Sequence, residues 1–217
     1  MEFAVMMSIL LEGLVLTVEI FVVTLVGALP LGILVALGRM SRCKPLALAV
    51  RLYISLMRGT PLMLQLMAIM FCPYYLFGLN MGPDWKFFAC AIGFILNYAA
   101  YFAEIYRSGI QSIPRGQYEA AEVLGYSRSQ TFMHIVLPQV IKRILPAMGN
   151  EIITLVKDTS LAFVLGIMEM FNSAKALAAR EVSMTPYIIA GLIYWCINLF
   201  IELILARVEK RMNYYHD

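Results

Sequence analysis

Long apolar runs broken by short polar interludes fill this chain, and the first long run, residues 14–37, is apolar at nearly every position. As a helix its roughly 24 residues would extend about 36 Å, enough to cross a bilayer. Thr17, Glu19 and Thr24 interrupt it, and Pro30 predicts a kink. Four further runs follow, over residues 61–77, 87–106, 144–171 and 187–206. None alternates with the period of two that a membrane barrel requires, so the pattern predicts an all-α polytopic membrane protein with five transmembrane helices in a single domain, residues 1–217. Between the first two runs, residues 44–58 are too short and too charged at their ends to span, and are expected as a helix at the surface. Gly59-Thr60-Pro61 then breaks that helix. The fourth run is the least regular, with Pro146, Gly149, Asn150 and Glu151 near its start and Lys157-Asp158-Thr159-Ser160 in its middle.

Residues 112–138 are the longest polar interlude, and their chemistry predicts a helix, a tight turn and a second helix. The first helix is expected over residues 117–124, with Glu119 in its opening turn and Gly125 supplying a left-handed C-terminal cap. Ser127 and Gln130 have capping-box spacing, and the helix they start is expected to stop at Pro138. On secondary structure alone this is an ordinary surface hairpin.

Composition supports the membrane reading. Hydrophobic residues make up 61% of the 217 positions and charged residues 14%, against the roughly 25% usual in soluble domains; the mean hydropathy is +0.78. A net charge of +3 without a basic arm gives nucleic acid nothing to bind. Cys43, Cys72, Cys90 and Cys196 are far apart, which supports neither a metal site nor a disulfide framework, and they are expected as buried apolar residues. The first run is too long for a secretory signal and lacks its basic start, so it is expected to stay in the chain. Basic residues crowd the segments after runs one, three and five, which places the N-terminus outside and the C-terminus and residues 112–138 in the cytoplasm. Tyr214 and Tyr215 suit a membrane interface, and His134 and His216 read as solvated surface residues. No phosphate-binding Gly-x-x-x-x-Gly-Lys run, HExxH or Gly-x-Ser-x-Gly is present, so no enzyme active site and no cofactor are expected.

Ionisable groups inside apolar runs cost about 2.5 to 3.5 kcal/mol each on insertion scales, so Glu104, Lys157 and Asp158 require an explanation. Glu104 has Arg107 one turn away as a partner. Lys157 and Asp158 point about 100° apart on a helix, so one of them must reach another helix or water. A route for a polar amino acid needs a carboxylate and polar partners in an apolar lining, and Asp158, Ser160, Asn97 and Glu104 are the substrate-binding candidates.

Glu119-Ala120-Ala121, then Gly125 after three residues, then Ile135-Val136-Leu137-Pro138 after nine more, resembles the EAA loop that permease subunits of ABC importers present to their ATPase. Residues 97–104, 157–161 and 58–62 also resemble motifs of the polar amino-acid permeases of that class, those serving histidine, arginine, glutamine and related substrates. The resemblance covers about residues 10–212. It implies an ABC importer type I permease fold in a bacterial inner membrane, with Glu119, Ala120, Ala121 and Gly125 coupling to a separate ATP-binding ABC subunit. It further implies a second permease subunit, identical or related, an extracytoplasmic amino-acid-binding protein, and alternating access as the mechanism. Two rivals remain open from the residues alone: an ion-coupled secondary transporter using the buried acids, and a membrane enzyme or scaffold.

Overall fold

The computed structural model describes residues 3–212, and every element assigned there is helical. Tyr214, Tyr215 and His216 lie outside the described residues. The first helix, α1 (Phe3–Arg39), is 37 residues long and starts eleven residues before the predicted run. It continues through Pro30. Its buried stripe, Met6, Leu10, Gly13, Thr17, Ile20, Thr24, Ala28, Gly32 and Ala36, recurs every three or four residues and is mostly small. Small side chains let neighbouring helices approach closely where lipid offers no hydrophobic drive. The stripe's two threonines return their hydroxyls to the preceding turn, Thr17 to Gly13 O at 3.1 Å and Thr24 to Ile20 O at 2.7 Å, so neither is left unsatisfied.

Next come α2 (Lys44–Gly59) and α3 (Leu62–Phe77), which meet at a bend of 111°. Pro61 has no N–H to continue the ladder and restricts Thr60 to extended backbone, ψ 149°, so the helix must stop there. The central helix is α4 (Trp85–Gln111), which packs against α1, α2 and α3 and buries Phe94, Tyr98 and Phe102 among alanines. A short helix α5 (Arg115–Val123) follows, then α6 (Arg128–Gln130), which runs through a π-helical turn (Thr131–Val136) into α7 (Leu137–Asp158).

The helix starting at Ser127 therefore does not stop at Pro138. The π turn widens the ladder just before the proline, with Leu137 N–H reaching Phe132 O five residues back. This local widening accommodates the missing N–H and the ring. The predicted run 144–171 is likewise not one helix. Beyond Asp158 the chain tightens into a 3₁₀ segment (Thr159–Leu165), turns through Gly166 at φ +71°, and begins α8 (Met170–Glu181). The last helix is α9 (Thr185–Met212).

Among the described residues, length and apolarity single out three helices able to cross a membrane, α1, α4 and α9, and a fourth crossing if the bent pair α2–α3 counts as one. The fourth predicted run fails that test because α7 is amphipathic, with Asn150, Glu151, Lys157 and Asp158 breaking its apolarity. The cysteines also depart from expectation: Cys90 is buried, whereas Cys43, Cys72 and Cys196 are exposed on the chain's surface.

Glu169 ties α8 to α9. Fully buried at the N-cap of α8, it accepts the Phe171 and Asn172 N–H groups at 2.7 Å each and the Tyr194 hydroxyl of α9 at 3.2 Å. Beside it, Met170 N–H donates to Thr17 Oγ1 of α1 at 3.2 Å. Replacing Glu169 with alanine leaves two amides and a phenol without acceptors. The expected cost is about 2 to 3 kcal/mol, checked by thermal unfolding of the purified protein in detergent. Where α1 crosses α8, a Cβ at Gly13 would lie 2.8 Å from Met170 Cα, a backbone atom that cannot swing aside. Gly13→Val is therefore expected to destabilise the fold by about 1 to 3 kcal/mol, read by the same melting measurement.

Candidate functional site

Two regions concentrate the polar chemistry, a surface knuckle built on α5 and a cavity between α2–α3, α4 and α7. The knuckle is defined at both ends by backbone geometry. At its C-terminus the Tyr126 N–H donates to Ala121 O at 3.0 Å and the Gly125 N–H to Glu122 O at 3.0 Å, with Gly125 at φ +79°. This is a Schellman motif, which places glycine where a Cβ would be strained. The next helix begins with a capping box, Gln130 N–H to Ser127 Oγ at 3.3 Å and Ser127 N–H to Gln130 Oε1 at 2.9 Å.

The start of α5 departs from expectation. The helix begins at Arg115, capped by Pro114, so no acid lies in its first turn and Glu119 sits mid-helix. Glu119 and Ala120 are exposed, while Ala121 is 1% exposed and faces the rest of the chain. The outward surface also includes Val123 and Leu124, 88% and 73% exposed, a pair the sequence reading passed over. Underneath, Ile113, Val136 and Val140 form a buried cluster joined by Ile110, Tyr118 and Phe132. Arg143 of α7 adds a 2.5 Å hydrogen bond to Ser112 O at the end of α4. The knuckle is thus anchored on α4 and α7 together.

The same two helices wall the cavity, a half-open space of about 380 Å³. Tyr98 and Tyr101 of α4, Glu151 and Asp158 of α7, and Thr60 at the α2–α3 break line it, with Asn97. Asp158 accepts the Tyr98 hydroxyl at 2.8 Å, so of the adjacent pair Lys157 and Asp158 it is the acid that finds a partner on another helix. Lys157 is exposed.

Asn97 does structural work here. Its amide donates to Met57 O at 3.0 Å and to Gln65 Oε1 at 2.9 Å, and Gln65 Nε2 in turn donates to Met57 O at 2.9 Å and to Thr60 Oγ1 at 2.8 Å. These bonds satisfy carbonyls that the helix break at Pro61 leaves without an intrahelical donor. The wall formed by Thr60, Pro61 and Leu62 is therefore held against α4.

The remaining predicted residues lie elsewhere. Glu104 pairs with Arg107, Nη2 to Oε2 at 2.5 Å, and lies 4.0 Å from Arg58 Nη1. Ser160 returns its hydroxyl to Lys157 O at 2.7 Å, and neither Glu104 nor Ser160 is among the residues lining the cavity. His134 is exposed, with Nδ1 3.1 Å from Gln130 O. Glu151, Tyr98 and Tyr101 belong to the cavity and were not singled out from sequence. Glu151 had a readable signal: it stands seven residues before Asp158, two helical turns, and so on the same side of α7.

Comparison with known proteins settles the class. The family described as "binding-protein-dependent transport system inner membrane component" matches residues 28–214. The chain belongs to this family.

Among its relatives, the L-cystine transport system permease protein TcyB of Bacillus subtilis is 36% identical, over 95% of this chain and 88% of that protein. The arginine transport system permease protein ArtQ of the same organism is 39% identical, over 94% of this chain and 92% of that protein. A chain in the crystal structure of an amino acid ABC transporter with histidines superposes with a TM-score of 0.87 at 33% identity, over 97% of this permease and 99% of that chain. The inward-facing MetNI methionine ABC transporter, at 18% identity and a TM-score of 0.73, shares the fold. The protein is an all-helical permease subunit of an amino-acid ABC transporter.

Proposed function

We propose that this permease moves polar amino acids into the bacterial cytoplasm by alternating access, driven by a separate ATP-binding chain seated on the α5 knuckle. One observation carries the proposal: α4 and α7 wall the cavity at one end and hold the knuckle at the other. Displacing α5 displaces both walls, and a knuckle capped at each end transmits a push that a loose loop would absorb. Glu119, Ala120, Val123 and Leu124 form the exposed contact, with Ala121 as the inward anchor and Gly125 fixing the turn.

In this reading a second permease subunit, identical or related, completes the route, and an external binding protein delivers cargo at the N-terminal side, with the C-terminus and knuckle in the cytoplasm. Asp158, held by Tyr98, and the free oxygen of Asn97 contact the cargo, while Glu104 and Ser160 act at the periphery of the path. Nucleotide can shift the two states only by binding them unequally, so the knuckle contact must differ between them. The test is uptake of labelled amino acids into proteoliposomes holding permease and ATPase. Transport should require ATP and persist when ionophores collapse proton and sodium gradients. Uptake that follows the ion gradient and ignores ATP would instead favour an ion-coupled secondary transporter.

A further inference from the structure

No acidic residue stands between Glu19 and Asp84, a stretch that carries Arg39, Arg42, Lys44, Arg51 and Arg58. The structure draws four of these cations to the foot of α2. Val50 packs against Gly38, where a Cβ would lie 3.1 Å from Val50 Cγ2, and Ile54 is buried with Ala36, Ala100 and Ala103. So α2 climbs back alongside the last turns of α1, and Arg51 stands level with Arg39, the residue that closes the first span. Arg42, in the turn, and Lys44, the first residue of α2, lie beneath it.

Arg58, at the far end of α2, already has partners, with Nη1 4.0 Å from Glu104 Oε2 and the guanidinium over the Tyr101 ring. Arg42, Lys44 and Arg51 are exposed and make no ion pair or side-chain hydrogen bond among the described residues. Lys44 and Arg51 are seven residues apart, two turns, and so share one flank of α2. The adjoining flank carries Leu48, Leu52 and Leu56, each more than half exposed. A third side, with Val50, Tyr53, Ile54 and Met57, packs on the rest of the chain.

Bare cations at the end of a span, with leucines rising beside them, match the two parts of a charged lipid, headgroup and acyl chain. An acidic patch on a soluble partner would answer the cations and leave the leucines uncovered. A neutral lipid would answer the leucines and leave the cations without a counter-ion. The place also lies apart from the anchors of the knuckle, since α2 packs on α1 and α4 while the knuckle is held by α4 and α7.

We infer that the foot of α2 binds a phospholipid of net negative charge, its phosphate held by Arg42, Lys44 and Arg51 and an acyl chain laid along Leu48, Leu52 and Leu56. Bound there, the lipid seats α2 against α1.

The experiment titrates the permease–ATPase complex in detergent with phosphatidylglycerol or phosphatidylcholine of the same acyl chains, and counts bound lipids by native mass spectrometry. Micelles have no sides and no cargo is added, so the result is independent of orientation and of what the cavity holds. The first phosphatidylglycerol should bind at least tenfold more tightly than the first phosphatidylcholine, and should raise the melting temperature of the complex. Arg42→Gln/Lys44→Gln/Arg51→Gln should bring the two lipids within about threefold of each other, remove that rise, and melt like the native complex when no lipid is added. Arg51→Lys, which keeps the charge, should retain most of the preference, and Arg51→Gln alone should lose at least threefold of it even if the triple variant fails to assemble. Arg207→Gln/Lys210→Gln/Arg211→Gln, which removes as many cations from the end of α9, should leave the preference within twofold of native. An unchanged preference in the α2 variants, or an equal loss in the α9 variant, overturns the site and leaves only a generally basic surface. Release of the ATPase or of a second permease copy by the α2 triple variant also overturns it, because the cations then hold a protein.

Discussion

Amino-acid uptake by the assembled transporter is expected to be lost when Glu119 is replaced by lysine, with the permease still folded and in the membrane. Glu119 is exposed mid-helix and makes no hydrogen bond or ion pair with the described residues, so the fold does not depend on it. Its neighbours Ala120, Val123 and Leu124 present a small apolar surface beside two exposed carboxylates, Glu119 and Glu122, which suits a partner groove that supplies a donor or cation. If the proposed contact with the ATPase buries Glu119, reversing the charge sets like against like there. Affinity for the ATPase should fall roughly 30-fold or more, the scale on which spoiling one partner of a buried charged contact acts. Co-purification of the ATPase and ATP-dependent uptake are the two measurements. Retained co-purification with lost uptake would mean that the contact transmits motion without fixing affinity. Gly125→Val attacks the same device differently, because a branched side chain at φ +79° strains the turn by about 1 to 2 kcal/mol or more and tilts the knuckle.

The second large effect is at Asp158. Tyr98 is 2% exposed and its hydroxyl depends on this carboxylate, so Asp158→Ala leaves a buried donor without an acceptor and should cost about 1 to 3 kcal/mol of stability. Asp158→Asn keeps an oxygen for Tyr98 and removes only the charge. The two variants therefore separate structure from transport. Asn should melt close to the native protein yet lose uptake by roughly tenfold or more, whereas Ala should lose both, as expected if the charge itself contacts cargo. If Asn transports at the native rate, the carboxylate is there for Tyr98 alone.

The features legible in sequence are those written in local chemistry. Gly125 and the Ser127–Gln130 pair are fixed by backbone sterics and side-chain reach within a few residues, and both motifs are present. The start of α5 was misplaced by two residues because Pro114 fills the cap position without any polar side chain to mark it. Pro138 misled for a related reason, since a π turn lets a helix pass a proline and single-residue rules do not anticipate it. The cavity needed contacts between distant segments. Asp158 was readable as an anomalous charge, but its partner Tyr98 lies sixty residues away, and nothing local marks that pairing. Asn97 was readable as a polar residue in an apolar run. That its amide hydrogens serve the broken helix at Pro61 depends on a 111° bend that hydropathy cannot convey.

Side-selective labelling of the cavity is the most direct test of whether movement at the knuckle reshapes the route. Cysteine is placed at Leu161, which lines the cavity, after Cys43, Cys72, Cys90 and Cys196 have been replaced. The permease–ATPase complex is reconstituted in vesicles, and a membrane-impermeant thiol reagent is applied from either side with and without ATP. The account predicts that Leu161→Cys reacts from the knuckle side without nucleotide and from the opposite side when a non-hydrolysed ATP analogue is bound, and that Glu119→Lys abolishes the switch. Labelling from one side alone, unchanged by nucleotide, would contradict it.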